Sequence, residues 1–260
     1  MAAPLFVAVL SRPKDFMLSR RQLFWFGVFF MFSAFLGAKI VFLALHFYSI
    51  KRNIFAALFS IAGWISIGVP IGGFLFLLIY SAYKKLRLSV LADYAAPFLI
   101  LMCIIQRIGC FSWGCCCGKQ TGLPWAYPFF GGSPRHPTQV YEIIYAIGIF
   151  ASSRYLYKKM SGVGGLTFFY TLSLYYLLRI FNEFFRDDSL LVCGAIRLPY
   201  LAFGILSLAG ICGMIYTFRK SREKEMMLKE LKNSFFRFLV WAIFLAATLL
   251  ALLLRISKLI

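Results

Sequence analysis

The sequence predicts an all-α, polytopic membrane protein, a bundle in which about seven helices cross the bilayer. Two observations support this fold class. Hydrophobic residues make up 62% of the 260 residues and charged residues only 14%, a balance outside that of soluble globular domains. The chain also contains repeated apolar runs near the length of about 20 residues that a helix needs to cross the hydrocarbon core.

Seven apolar runs are the predicted spans. In chain order they are Leu23–Tyr48, Ile54–Ala82, Val90–Gln106, Val140–Ser153, Gly162–Leu178, Leu198–Phe218 and Phe238–Leu254. Charged residues are rare in them. Lys39, Asp93 and Glu142 lie inside runs, and Arg179 and Glu183 directly continue the fifth. Because lipid cannot solvate ionisable groups, these five residues are expected to face one another or a watery cavity.

Basic residues are distributed unevenly among the connections between the runs. If all seven runs cross the bilayer, 17 of the 28 Lys and Arg residues lie on the side of the N-terminus, which is therefore predicted to be cytoplasmic. The same enrichment accounts for the net charge of +19 without nucleic acid as a partner. We divide the chain into residues 1–22, a cytoplasmic or interfacial segment; 23–218, the main transmembrane domain; 219–237, a basic cytoplasmic loop; and 238–260, an additional C-terminal transmembrane helix.

The longest stretch without a helical pattern runs from Arg107 to Pro137, and it is rich in Gly, Pro and Cys. By the charge distribution it faces outward. Non-helical backbone at membrane depth survives only where protein or water satisfies its polar groups, so this stretch is expected to line a cavity. Arg107 at its start could grip a phosphate through two parallel hydrogen bonds. The alternative is that Arg107 extends to the lipid headgroups.

Two further polar groups lie at the outer ends of the fourth and fifth runs. In the fifth, Arg179 and Glu183 are four residues apart and share a helical face, with Asn182 and Arg186 beside them. An ion pair that only holds helices together is the alternative. The fourth run opens with polar residues in RHPTQVYE, namely His136, Gln139, Tyr141 and Glu142. Because lipid cannot solvate such groups, we expect them to converge with Arg107 on one polar site for an anionic lipid, toward the outer face.

Four of the seven cysteines fall within eight positions, Cys110 and Cys115 to Cys117. Three adjacent cysteines cannot easily all point at one ion, and no second pair at zinc-ligand spacing follows, so no metal site is predicted. A disulfide to Cys193 and a reactive thiol near Lys119 both stay open.

With these motifs placed, the chain resembles the prolipoprotein diacylglyceryl transferase family of bacterial inner membranes. The resemblance covers roughly residues 24–218 and combines several motifs that are specific only jointly. They are GAKIVF at Gly37–Phe42, DYAAP at Asp93–Pro97, RIGCFSWGCCCGK at Arg107–Lys119, RHPTQVYE at Arg135–Glu142 and RIFNEFFR at Arg179–Arg186.

The resemblance implies transfer of a diacylglyceryl group from phosphatidylglycerol to the lipobox cysteine of a prolipoprotein in the bilayer, with no cofactor or metal. Arg107 and Arg179 would then hold the phosphate and stabilise the leaving group. Glu142, His136 and Glu183, in that order, would be candidates for the general base. The residues implied to bind substrate are Arg107, Gln139, Tyr141, Glu183, Arg135 and Gly118.

The chain departs from the family pattern at several positions. The family's His-Gly-Gly becomes SIGVPIGGF at Ser66–Phe74, without histidine, and Cys110 and Cys115 replace a usual asparagine and glutamate. The family's usual first span has no counterpart before Leu23, and the span after residue 237 is additional. These departures keep two other hypotheses open: a paralogue that binds anionic lipid or lipoprotein without chemistry, and a thiol redox protein that uses Cys115 to Cys117.

Overall fold

The computed structural model describes residues 19–46, 68–160, 163–187, 192–193, 196–221, 225–226 and 228–241. Nearly all of these form helices: α1 (Arg20–Leu45), α2 (Gly68–Lys84), α3 (Leu88–Ser112), α4 (Thr138–Lys159), α5 (Leu166–Glu183), α6 (Leu198–Lys220) and a final helical stretch, 228–241. Two-residue strands at Val192–Cys193 and Ile196–Arg197 form a small antiparallel pair. The predicted all-α fold class is confirmed.

Helices α1 to α6 overlap the first six predicted runs. α3 continues to Ser112, six residues into the stretch from Arg107 that was predicted to be non-helical, and the final helical stretch begins at residue 228, inside the predicted basic loop 219–237. Three of the helices are long and apolar enough to cross a membrane, Arg21–Ala44, Leu88–Ser112 and Tyr200–Lys220, and the apolar helix Gly68–Lys84 is shorter. Parts of four predicted runs, at 47–48, 54–67, 162 and 242–254, lie outside the described residues, as do residues 1–18 of the predicted N-terminal segment 1–22.

The described residues up to Ala95 belong to one compact unit, in which α1 packs closely against α2. Gly37 meets Gly68 and Gly72 at the crossing, where a Cβ on any of the three would overlap the backbone of the other helix. Ser33 Oγ donates a hydrogen bond to the carbonyl of Gly72 at 2.8 Å. Small residues allow membrane helices to approach until their backbones are in contact, so these glycines determine where α1 and α2 cross.

This first unit also contains the predicted buried charges Lys39 and Asp93, which are 3% and 2% exposed. The Lys39 ammonium lies 5.5 Å from the centre of the Phe42 ring. Both residues belong to motifs on which the family resemblance rests, and both point into protein rather than lipid.

The described residues from Ala96 onward belong to the second compact unit. Its core joins residues of α3, α4 and α5, among them Ile100, Ile149 and Leu166. α5 packs along α6, where Ser207 Oγ donates to the carbonyl of Ser173 at 3.2 Å. Phe238, from the final helical stretch, joins the same core.

The segment predicted as a basic loop is helical where the structure describes it, and residues 228–241 pack against α4. Ser234 Oγ donates to the carbonyl of Ser152, and Tyr155 donates to Glu230, both at 2.8 Å. The Arg237 guanidinium lies 4.2 Å from the Tyr155 ring centre. Basic and acidic side chains of this segment therefore have partners on α4.

Candidate functional site

Glu142, on the second turn of α4, lies at the centre of a buried polar site. Its side chain is 1% exposed and lies between two arginines from different helices. Arg107 Nε, from α3, is 2.9 Å from Glu142 Oε1, and Arg179 Nη1, from α5, donates to Oε2 at 2.9 Å. Tyr175 donates to Oε1 at 2.8 Å. Three helices thus bring their charged groups to one carboxylate.

The charges continue along α5 and the turn after it. Arg179 Nη2 lies 3.6 Å from Glu183 Oε2, and Arg186 Nε lies 3.5 Å from the same oxygen. Arg107, Glu142, Arg179, Glu183 and Arg186 therefore alternate in sign, and we call them the charge cluster. Three guanidinium groups and two carboxylates leave the cluster with a formal charge of +1.

The local sequence explains how these side chains meet. Arg179, Glu183 and Arg186 are spaced at four and three residues and thus share a face. On α4, Thr138 and Gln139 precede Glu142 by four and three residues. Asn182 joins the two helices, because its Nδ2 donates to the carbonyl of Thr138 at 3.1 Å and lies 3.4 Å from Glu142 Oε2.

Several buried polar atoms of the site have no hydrogen-bond partner among the described residues. They are Arg107 Nε, whose close approach to Glu142 lacks hydrogen-bond alignment, together with Gln139 Oε1, Asn182 Oδ1 and Glu183 Oε2. Buried polar atoms in proteins are nearly always paired, so a group of exceptions at one place calls for an explanation. The guanidinium groups can donate to an anionic ligand, and the unpaired oxygens of Gln139, Asn182 and Glu183 can accept hydrogen bonds from hydroxyl groups of such a ligand.

The segment between α3 and α4 packs against the end of α5. Gly118 donates its N–H to the carbonyl of His136 at 2.9 Å, and Lys119 donates to the carbonyl of Phe185 at 2.8 Å. Arg135, which the resemblance implied to bind substrate, pairs with Asp187 and donates to the carbonyl of Gly118 at 3.2 Å. We call Arg135 and Asp187 the outer pair.

His136 lies at the end of a short polar chain on this segment. Trp125 Nε1 donates to the Tyr141 hydroxyl at 2.8 Å, and that hydroxyl is 3.0 Å from His136 Nδ1. Burial and the charge of Lys119 hold the pKa of His136 below its usual value. The imidazole is therefore neutral at pH 7 and able to accept a proton.

The described cysteines are free thiols, and Cys110, Cys115 and Cys116 have their Sγ atoms within 4.8 Å of one another. A hydrogen bond from Cys110, with Arg186 and Arg107 nearby, lowers the pKa of Cys116 to about 5 despite burial. Burial raises the pKa values of Cys115 and Cys117. The side chain of Cys193, the expected disulfide partner, lies outside the described part of the chain.

The structure thus brings together Arg107, Glu142, Arg179 and Glu183, with Gln139 beside them. It places Arg135, His136 and Gly118 in the segment that packs on the end of α5. Sequence reasoning missed Tyr175, although it precedes Arg179 by four residues and so shares its face.

Comparisons with known proteins identify a family to which most of the chain is similar. Residues 5–216 match the family model described as prolipoprotein diacylglyceryl transferase. The chain is similar to the phosphatidylglycerol–prolipoprotein diacylglyceryl transferase of Dehalococcoides mccartyi, with 31% identity over 70% of this chain and 71% of that protein. It is also similar to the proteins of that name from Synechocystis sp., with 31% identity over 64% of each chain, and from Clostridioides difficile, with 32% identity over 60% of this chain and 62% of the relative.

Proposed function

The chain belongs to the prolipoprotein diacylglyceryl transferase family, and from this premise we propose that it moves a diacylglyceryl group from phosphatidylglycerol to the thiol of a prolipoprotein cysteine. The sulfur forms a bond to the glyceryl carbon while the bond from that carbon to the phosphate oxygen breaks. The electron pair leaves with glycerol phosphate, and the thiol proton passes to a base. The observation that carries the proposal is the buried charge cluster with its unpaired polar atoms.

The charge of the cluster suits a phosphodiester. Its formal charge of +1 is balanced by the single negative charge of phosphatidylglycerol. As the carbon–oxygen bond breaks, a second negative charge develops on the phosphate, and preorganised guanidinium groups stabilise it most where water is excluded. Arg107 and Arg179 are 14% and 8% exposed, so their attraction for the leaving group is little screened.

Arg107 and Arg179 still have donors to offer after their contacts with Glu142. A guanidinium carries five N–H donors, and each of these arginines is in contact with Glu142 through one nitrogen. We assign these two residues to phosphate binding. Gln139, with an unpaired Oε1, would contact the polar headgroup.

Glu142 is assigned to positioning the two arginines rather than to accepting the proton. Its oxygens are occupied by Arg107, Arg179 and Tyr175, with Asn182 close by. Glu183 is likewise flanked by two arginines. Of the three base candidates, His136 is the one that is neutral and partly exposed, and we assign it as the base that accepts the thiol proton.

Transfer to purified components tests this proposal. The full chain is placed in vesicles that contain isotope-labelled phosphatidylglycerol and a peptide with a lipobox cysteine, and the peptide mass is followed. We expect a thioether-linked product that is lost in Arg107→Ala and with a peptide in which serine replaces the cysteine. Labelled lipid that binds without peptide modification would instead support a paralogue that binds lipid only, the hypothesis favoured by the missing histidine at Ser66–Phe74.

We also infer the location from the charge distribution and the bacterial relatives. The protein would lie in the plasma membrane with its N-terminus in the cytoplasm and the charge cluster toward the outer face. Reporter fusions after residue 160 and after residue 187 check this orientation. Cytoplasmic reporter activity at 160 and external activity at 187 are expected, and the reverse result contradicts it.

A further inference from the structure

Three thiols at the end of α3 are not used by the proposed transfer. Cys110 lies in the last turns of this helix, and Cys115 and Cys116 lie in the turn that follows it. Their Sγ atoms all lie within 4.8 Å of one another. Thiols from a helix and from the next turn meet in this way only if the backbone between them reverses direction sharply.

Two residues with positive φ produce that reversal. Gly114 has φ +60° and Cys116 has φ +62°. At Gly114 a Cβ would also overlap the Phe130 ring. A cysteine at positive φ is uncommon and costs about 1 kcal/mol or more, so the conformation of Cys116 is maintained by its surroundings.

The first turn of α4 holds the strained turn in place. Thr138 Oγ1 donates to the carbonyl of Cys116 at 2.8 Å, and Gln139 Nε2 donates to the carbonyl of Cys115. Both side chains are only 1% exposed. The N–H of Cys115 also donates to the carbonyl of Cys110 at 3.1 Å. The three thiols are therefore preorganised by buried hydrogen bonds.

We propose that Cys110, Cys115 and Cys116 bind a thiophilic divalent cation such as Zn²⁺. With Zn–S bonds of about 2.3 Å, sulfur ligands lie about 3.8 Å apart, so the cluster needs to contract by about 1 Å at most. Cys115 is exposed and offers an entry path for the ion. Binding forms three Zn–S bonds, and each thiol that is still protonated releases its proton to water.

The charges around the thiols suit the complex. Three thiolates and Zn²⁺ carry a total charge of −1, and Arg107 Nη1 lies 3.9 Å from Cys110 Sγ. An N–H donor next to a coordinating sulfur is a typical feature of the groups that surround a metal site. Since Arg107 also contacts Glu142, the bound metal would link the end of α3 to the charge cluster.

A zinc titration of the whole protein tests the site independently of any transferase activity. The chain is purified in detergent with a phosphine reductant, freed of metal, and titrated with Zn²⁺ against a coloured chelator. We expect about one Zn²⁺ per chain, and affinity that falls about tenfold or more in Cys110→Ser and in Cys115→Ser. Cys103→Ser and Cys212→Ser, on α3 and α6, are matched controls that should bind Zn²⁺ like the parent.

Cobalt reports on the ligands themselves. Co²⁺ in place of Zn²⁺ should show sulfur-to-metal charge-transfer absorption that weakens in Cys116→Ser. Circular dichroism confirms that each variant keeps its helices, and Cys115→Ser is the safest change because Cys115 is exposed. Failure to bind Zn²⁺, or binding that the cluster variants leave unchanged, overturns the proposal. So does a disulfide between any two of the three cysteines in protein alkylated at cell lysis.

Discussion

The charge cluster and the outer pair are built from the same chemical groups and differ in burial. Glu142 and Arg179 have side chains that are 1% and 8% exposed, whereas Arg135 and Asp187 are 30% and 53% exposed. An exposed pair is screened by water and typically contributes about 0–1 kcal/mol. A buried charge has lost its hydration, so its partners become essential. Burial, rather than residue type, therefore decides how strongly each arginine depends on its acidic partner.

Glu142→Gln is expected to have the largest effect on both stability and transfer. The amide keeps the size of the carboxylate but leaves Arg107 and Arg179 without the charge that compensates them. Loss of one partner from a buried ionic group costs about 3–5 kcal/mol. We expect the free energy of unfolding, measured in mixed detergent with increasing dodecyl sulfate, to fall by that amount, and transfer to be abolished. A variant as stable as the parent would mean that water or another anion already neutralises the arginines.

Arg107→Lys and Arg179→Lys keep the positive charge but remove the planar guanidinium group. Lysine offers a point charge and cannot bind two phosphate oxygens in parallel. We expect the transfer rate to fall about 10³-fold in each variant, in the range of lost oxyanion donors, with little change in helicity. Arg135→Lys in the outer pair is the matched control and should retain most of the rate. Equal losses at all three positions would contradict the division between buried and exposed arginines.

His136→Gln tests whether the segment that carries the outer pair also takes part in the chemistry. The pKa of His136 lies below its usual value because of burial and Lys119, so the neutral, proton-accepting form is present at pH 7 and is lost as the pH falls through that pKa. The rate of the parent protein should therefore rise as the pH passes upward through the pKa of His136 and level off above it. We expect His136→Gln to lose about 10²-fold in rate at pH 7, together with the acid limb. An unchanged acid limb would assign the base elsewhere.

Sequence reasoning predicted the all-α fold and the meeting of Arg107, Glu142 and Arg179, because lipid cannot solvate charged side chains and they therefore group together inside the protein. It did not predict that Glu142 would lie between both arginines, since the rotation of a helix about its axis is set by packing. The family resemblance placed Arg135 with Arg107 among the residues implied to bind substrate. The pairing of Arg135 with Asp187 could not be predicted, because it depends on how residues 113–137 fold back on α5.

The thiols show the same limit in a different form. In the sequence, Cys110 is grouped with Cys115, Cys116 and Cys117, whereas the structure places the Sγ atoms of the first three within 4.8 Å of one another. This choice of three could not be predicted, because the reversal at Gly114 and the positive φ of Cys116 cannot be read from cysteine spacing. Backbone conformation decided which thiols meet.

Asp187→Asn is expected to have the smallest effect. Like Glu142→Gln it replaces a carboxylate with an amide, but at an exposed site. Arg135 can keep its hydrogen bond to the Gly118 carbonyl and remains hydrated, so no buried charge is left alone. We expect the free energy of unfolding to fall by about 0–1 kcal/mol. The difference from the parent protein should shrink further in high salt, because exposed pairs are screened. The same detergent titration at low and high ionic strength measures both effects. A loss as large as that of Glu142→Gln would show that the outer pair is buried in the membrane-bound protein, and the contrast drawn from exposure would fail.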